Sequence, residues 1–78
     1  MRPPAITQRE YDALTEHQTI YARRRVTRNG VLTPGNSYRL VAKSRVGEVK
    51  YVEVIDDDRK RRRFKMTCFT QYPFDLVL

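Results

Sequence analysis

The sequence predicts a mainly β protein, a small antiparallel barrel of four to five short strands preceded by one N-terminal helix. Three observations lead to this fold class. Runs of alternating apolar and polar residues, rich in Val, Ile, Thr and Tyr, recur along most of the chain. Turn signals containing Gly, Pro, Asn or Asp separate these runs. With 78 residues the chain has room for one hydrophobic core, so we expect a single domain spanning residues 1–78.

The helix prediction rests on a cap. Residues 1–5 contain two prolines and no pattern, and we expect them to form a disordered lead. Thr7 and Glu10 have the spacing of a capping box, while Ile6 and Tyr11 have the spacing of a hydrophobic staple around the same cap. We therefore predict a helix over residues 7–17. His17 would then lie at its C-terminal end and interact with the helix dipole.

Alternation begins at Thr19 and predicts the first strand of a barrel over residues 19–78. The helix could instead continue to Asn29, with Gly30 as its C-cap. β-branched residues between positions 19 and 27 favour the strand.

Further strands are predicted over residues 37–43, 48–55 and 60–68, with a short final strand at 74–78. Pro34 and Gly35 occupy the two central positions that a type II turn requires. Three consecutive aspartates at 56–58 predict a solvated turn that pairs with Arg59 and Lys60.

The order of these motifs resembles a known family. Val31–Val41 reads V-L-T-P-G-N-S-Y-R-L-V, an acidic-tipped hairpin follows over 51–60, and a basic, aromatic strand ends at Phe69. This stretch resembles the small SH3-like barrels of bacteriophages and bacteria, over about residues 19–70. The resemblance implies an SH3-like barrel that acts as a binding module, and it transfers no catalytic residues. Pro34 within the turn and the dense arginines depart from the family's pattern.

Positive charge is concentrated in the middle of the chain. The formal net charge is +7, and residues 19–65 contain 14 Lys and Arg against 5 Asp and Glu. Ten of these cations form two clusters, residues 23–28 and residues 59–65. A guanidinium binds phosphate or carboxylate through two parallel hydrogen bonds and stacks on nucleobases. Strand alternation would place Arg61 and Arg63 on one face, with Lys60 and Arg62 on the other.

These clusters predict a small basic protein that binds nucleic acid, either DNA or RNA. If the two clusters are adjacent, they form one basic stripe with Tyr21, Tyr51 or Phe64 interleaved for stacking. The candidate nucleic-acid-binding residues are Arg23, Arg25, Arg28, Arg61, Arg63, Lys65 and Tyr21.

Other functions are compatible with the same charge. One is a phage-encoded protein-binding module that docks on an acidic surface of a host bacterial enzyme and inhibits or redirects it. Another is a solvated face that keeps edge strands from aggregating. A third is a small hydrolase or redox protein that uses Cys68, although this position in an alternating strand favours ordinary core packing.

The inventory of reactive side chains predicts no enzyme, no cofactor and no metal. One histidine and one cysteine at distant positions cannot form a metal site, and there is no Gly-rich phosphate loop. No apolar run approaches the ~18 residues that span a bilayer, so we expect no membrane partner. A lone cysteine suits a reducing compartment. We expect a cytoplasmic location, in the bacterial host if the protein is phage-encoded; the sequence leaves the oligomeric state open.

Overall fold

The computed structural model describes residues 4–73 and contains one helix and five strands. All strand pairs are antiparallel, and the strand order is β4-β3-β2-β1-β5. The mainly β class with one short helix is therefore confirmed. The elements are α1 (Gln8–Ala13), β1 (Thr19–Ala22), β2 (Ser37–Val46), β3 (Val49–Ile55), β4 (Arg61–Lys65), a 3₁₀ turn (Met66–Cys68) and β5 (Phe69–Thr70).

The sheet is not closed into a barrel, because β4 and β5 lie at its two edges. One 3₁₀ turn joins them, so the segment predicted as a single strand over 60–68 is divided. β2 has a register shift between Leu40 and Ala42, and such a bulge bends the strand and increases its twist. This ten-residue strand pairs with β1 before the bulge and mainly with β3 after it.

The capping box at the start of α1 is confirmed. The Thr7 amide donates to Glu10 Oε1 at 2.9 Å, and the Glu10 amide donates to Thr7 Oγ1 at 3.2 Å. The helix ends four residues earlier than predicted, because Leu14 adopts an extended conformation and is buried. His17 therefore lies outside the helix, with φ of 72° and its amide donating to the Leu40 carbonyl. The prediction that His17 interacts with the helix dipole was therefore wrong.

The first strand forms at Thr19 as predicted, and its ladder with β2 excludes a helix running on to Asn29. It ends at Ala22, however, so the first arginine cluster lies in the loop before β2. The predicted type II turn later in this loop is confirmed. Gly35 has φ of 84°, and the Asn36 amide donates to the Thr33 carbonyl at 3.1 Å.

The core lies between α1, the β1–β2 loop and the inner face of the sheet. Phe69 is fully buried and meets the rings of Tyr38 and Phe64 edge-to-face, at centroid distances of 6.2 and 6.1 Å. Cys68 is buried in the same core, as predicted, although in the 3₁₀ turn rather than in a strand. Among residues 4–73, the other fully buried apolar residues are Ile20, Ala22, Leu32, Leu40, Val52 and Val54.

Two predicted features fall on the chain ends. The final strand at 74–78 and the first three residues of the disordered lead lie outside the described residues. Within residues 4–73, no helix is long and apolar enough to cross a membrane.

Candidate functional site

The strand β4 separates its cations onto two faces, as alternation predicts. Arg61, Arg63 and Lys65 are exposed on the outer face of the sheet, whereas Arg62 and Phe64 turn toward the core. We call Arg61, Arg63 and Lys65 the outer basic row. At about 3.4 Å per residue, the row is about 14 Å long.

Neighbouring side chains on β3 orient the first two members of this row. Arg61 Nη2 lies 2.6 Å from Glu53 Oε2, and Arg61 Nε donates to the same oxygen at 2.8 Å. The Arg63 guanidinium carbon lies 4.8 Å from the centroid of the Tyr51 ring, in cation–π geometry. Both arginines therefore lean diagonally toward β3, in the same direction along the sheet.

Lys65 lies directly opposite Tyr51 in the ladder and has no charged partner within residues 4–73. Exposed apolar side chains extend the same face, with Val46 at 53%, Val49 at 42% and Ile55 at 47% relative accessibility. The outer face thus combines cations, one half-buried aromatic ring and apolar surface.

Arg62 serves the fold instead of this surface. Its Nη1 lies 2.9 Å from Asp56 Oδ2 and 3.1 Å from Asp58 Oδ2. The Asp56 side chain is fully buried and also accepts hydrogen bonds from the amides of Val31, Asp58 and Lys60. Arg62 and Asp56 therefore hold the β3–β4 turn together.

The electrostatics of Asp56 follow from these contacts. Desolvation by burial would raise its pKa, but hydrogen bonds from the Val31 and Lys60 amides and from Arg62 outweigh it and lower the pKa below its ordinary value. The prediction of a solvated turn pairing with Arg59 and Lys60 was therefore wrong for Asp56.

Asp57 links the same turn to the β1–β2 loop. Tyr38 donates its hydroxyl hydrogen to Asp57 Oδ1 at 2.9 Å, and Thr33 Oγ1 donates to Asp57 Oδ2 at 2.7 Å. Burial, chiefly, and the neighbouring Asp57 carboxylate raise the pKa of Tyr38. The acidic tip is thus a structural junction between two segments of the chain.

The first arginine cluster contacts the segment that follows β4. The Arg23 amide donates to the Cys68 carbonyl at 2.8 Å, and Arg23 Nη1 donates to the Thr67 carbonyl at 2.9 Å. Arg24 Nη2 donates to Cys68 Sγ at 3.4 Å. These contacts bring the two clusters to neighbouring positions in the fold.

The loop nevertheless lies on the other side of β4 from the outer basic row. A Cβ at Gly30 would stand 2.5 Å from Phe64 Cζ and 3.2 Å from Arg62 Cδ, and both of these side chains face inward. Arg25 and Arg28 are exposed on this loop. The single continuous stripe expected from the sequence is therefore divided by β4 into two basic surfaces.

The aromatic residue beside the outer basic row is not Tyr21, the candidate predicted from the sequence. Tyr21 is half-buried on β1, where it pairs with Ser37 and Thr70, and β2 separates it from β3. Phe64 is buried in the core. Tyr51 is the ring beside the basic row. Counting back from the aspartate turn could have shown this, since hairpin register places Tyr51 opposite Lys65.

Among residues 4–73, no group of three His, Cys, Asp or Glu side chains could hold a metal ion. Comparisons with family models, with curated proteins and with solved structures each found no significant match. The geometry of the described residues is therefore the basis for the functional proposal.

Proposed function

We propose that this protein binds nucleic acid through the outer basic row. The observation that carries the proposal is the alignment of Arg61, Arg63 and Lys65 on one exposed face, beside the Tyr51 ring. Arginine donors bind phosphate oxygens, and the aromatic ring offers a stacking surface. The face is open, so a strand of nucleic acid can lie across it.

The other predicted cations contribute unequally to this proposal. Arg25 and Arg28 are exposed and can extend the contact around the edge of β4. Arg23 contacts the Thr67 carbonyl, so its guanidinium is partly engaged by the fold. Tyr21 is remote from the outer basic row and is not included in the proposed surface.

The test measures the salt dependence of binding to labelled oligonucleotides by fluorescence anisotropy. Replacing Arg61 and Lys65 together by Gln removes two cations from the row. The slope of log K against log salt should become shallower by at most about 1.4 for single strands, or about 1.8 for a duplex, because each phosphate contact contributes about 0.7 or 0.9 and Glu53 offsets part of the Arg61 charge.

A matched control is the pair Arg9→Gln and Arg45→Gln. Both arginines are exposed; Arg9 lies on α1, and Arg45 lies on the face of β2 that α1 covers. The control removes the same charge and should leave the slope within error of the wild type. An equal effect of the two double variants, or salt-independent binding, would contradict the proposal.

We also propose that the fold is SH3-like. Five antiparallel strands in this order, the bulge in β2 and the 3₁₀ turn before β5 support this assignment. An SH3-like fold is compatible with many partners, so it does not by itself determine the ligand.

A second candidate function is the binding of an acidic surface on a host bacterial enzyme, as a phage-encoded module would do. The exposed Val46, Val49 and Ile55 on the same face favour it, because protein interfaces have apolar centres. Affinity capture from nuclease-treated bacterial lysate separates the two functions. A stoichiometric protein partner that survives nuclease supports this candidate, and loss of every bound macromolecule contradicts it.

A further inference from the structure

We infer that the ligand of the outer face is single-stranded, and that an unpaired base stacks on the Arg63–Tyr51 pair. This inference rests on the proposed function and specifies its substrate class.

Arg63 and Tyr51 form a cation–aromatic pair on the outer face. The Arg63 guanidinium carbon lies 4.8 Å from the centroid of the Tyr51 ring, and the Arg63 side chain is exposed while Tyr51 is half-buried. A nucleobase can stack on a guanidinium or on an aromatic ring, so this pair offers it a stacking surface. The bases of a duplex already have both faces covered by their neighbours, so only an unpaired base can use this position.

The small net charge of the outer basic row favours a single strand over a duplex. The outer basic row carries three positive charges, but Glu53 lies within ion-pair distance of Arg61 and offsets one of them. A duplex is held mainly through its phosphates, and two net charges provide little of this attraction. Stacking of one base changes affinity by about 5- to 150-fold, so it can exceed the contribution of a phosphate contact here.

The short length of the outer basic row and the apolar residues beside it also favour a single strand. The row is about 14 Å long, so it can contact only a few nucleotides. Val49 lies next to Tyr51 on the same strand face, Ile55 lies beyond Glu53 on that face, and both apolar side chains are exposed. This surface suits a few splayed bases, whose flat faces contact apolar side chains while the phosphates contact the row.

The experiment compares three labelled probes with the wild-type protein: an unstructured oligothymidylate, a duplex of equal length, and an abasic oligomer with the same number of phosphates. We expect the oligothymidylate to bind at least about fivefold more tightly than the abasic oligomer. We also expect it to bind more tightly than the duplex. The abasic probe tests stacking without any substitution in the protein.

Two variants assign the effect to the ring. Tyr51→Leu should lose at least about fivefold in affinity for the oligothymidylate and little for the abasic oligomer. Tyr51→Phe retains the ring and should bind like the wild type. The hydrogen bond from the Tyr11 hydroxyl ends on the Tyr51 backbone carbonyl, so neither substitution removes it.

The outcomes separate this inference from the proposed function. Equal affinity for oligothymidylate and abasic oligomer, tighter binding of the duplex, or unchanged binding by Tyr51→Leu would overturn the single-strand inference and leave the proposed function intact. Failure to bind any of the probes at low salt would overturn both.

Discussion

At the scale of single residues, Asp56 has the most demanding environment in the described part of the chain. Its buried carboxylate accepts hydrogen bonds from three backbone amides and one guanidinium. Asp58, Lys60 and Arg62 belong to the β3–β4 hairpin, whereas Val31 belongs to the β1–β2 loop. Replacing Oδ2 by an amide nitrogen therefore removes the acceptor that the Val31 amide and Arg62 share, and removes the negative charge opposite Arg62.

We predict that Asp56→Asn lowers the free energy of unfolding by about 2–4 kcal/mol, because breaking a buried pair leaves groups unsatisfied. Asp58→Asn is the matched control. Asp58 also contacts Arg62, but its side chain is 51% exposed, and such pairs contribute less than about 1 kcal/mol. Urea denaturation measures both values. Equal losses in the two variants would contradict the structural role assigned to Asp56.

The sequence could not show which of the three aspartates in the β3–β4 turn is buried. Three adjacent aspartates give no sign of which one is buried, because the difference arises from a loop 25 residues earlier whose Val31 amide reaches Asp56. By contrast, the outward placement of Arg61 and Arg63 follows from strand alternation alone and was predictable.

At the scale of elements, the loop between β1 and β2 packs on β4 through a position that tolerates no side chain. Gly30 has φ of 137°, and its backbone lies against the Phe64 ring. Gly47, in the β2–β3 turn, also has positive φ, at 61°, but nothing lies within 4 Å of its virtual Cβ. A side chain at Gly47 would therefore meet backbone strain alone, whereas one at Gly30 would meet both backbone strain and a steric clash.

We predict that Gly47→Ala costs about 1–2 kcal/mol of stability from left-handed strain alone. Gly30→Ala should cost at least about 1 kcal/mol more, because its methyl group must displace the Phe64 ring. Thermal denaturation of the two variants measures the difference. If Gly47→Ala proved the more damaging substitution, the close packing of the loop on β4 would be refuted.

The elements were predictable to different extents. Local signals in the sequence predicted the start of α1 and the type II turn, because a capping box and a Pro-Gly pair act within four residues. The end of α1 was not predictable, because Leu14 leaves the helix to enter a core formed by distant strands. The division of the basic stripe likewise depends on tertiary packing of the loop against β4.

At the scale of the whole molecule, the free energy of unfolding should decrease at acidic pH. The pKa of Asp56 is lowered in the folded state, so the unfolded chain binds a proton more readily. The stabilisation is therefore fully present above the unfolded pKa of about 4 and is lost as the pH falls through the lower folded value.

We predict that the difference in unfolding free energy between the wild type and Asp56→Asn is constant near neutral pH and shrinks below pH ~4. Urea denaturation at several pH values measures it. A difference that stayed constant to pH ~2 would show that the ionised form of Asp56 is not the stabilising species.

The alternation along β4 means that one short strand has two separate roles, one on each face. Arg62 and Phe64 fasten the turn and the loop, while the intervening side chains meet whatever approaches from solvent. Substitutions at the outward-facing positions of this strand can therefore change what the protein binds without disturbing the inward-facing residues that keep it folded.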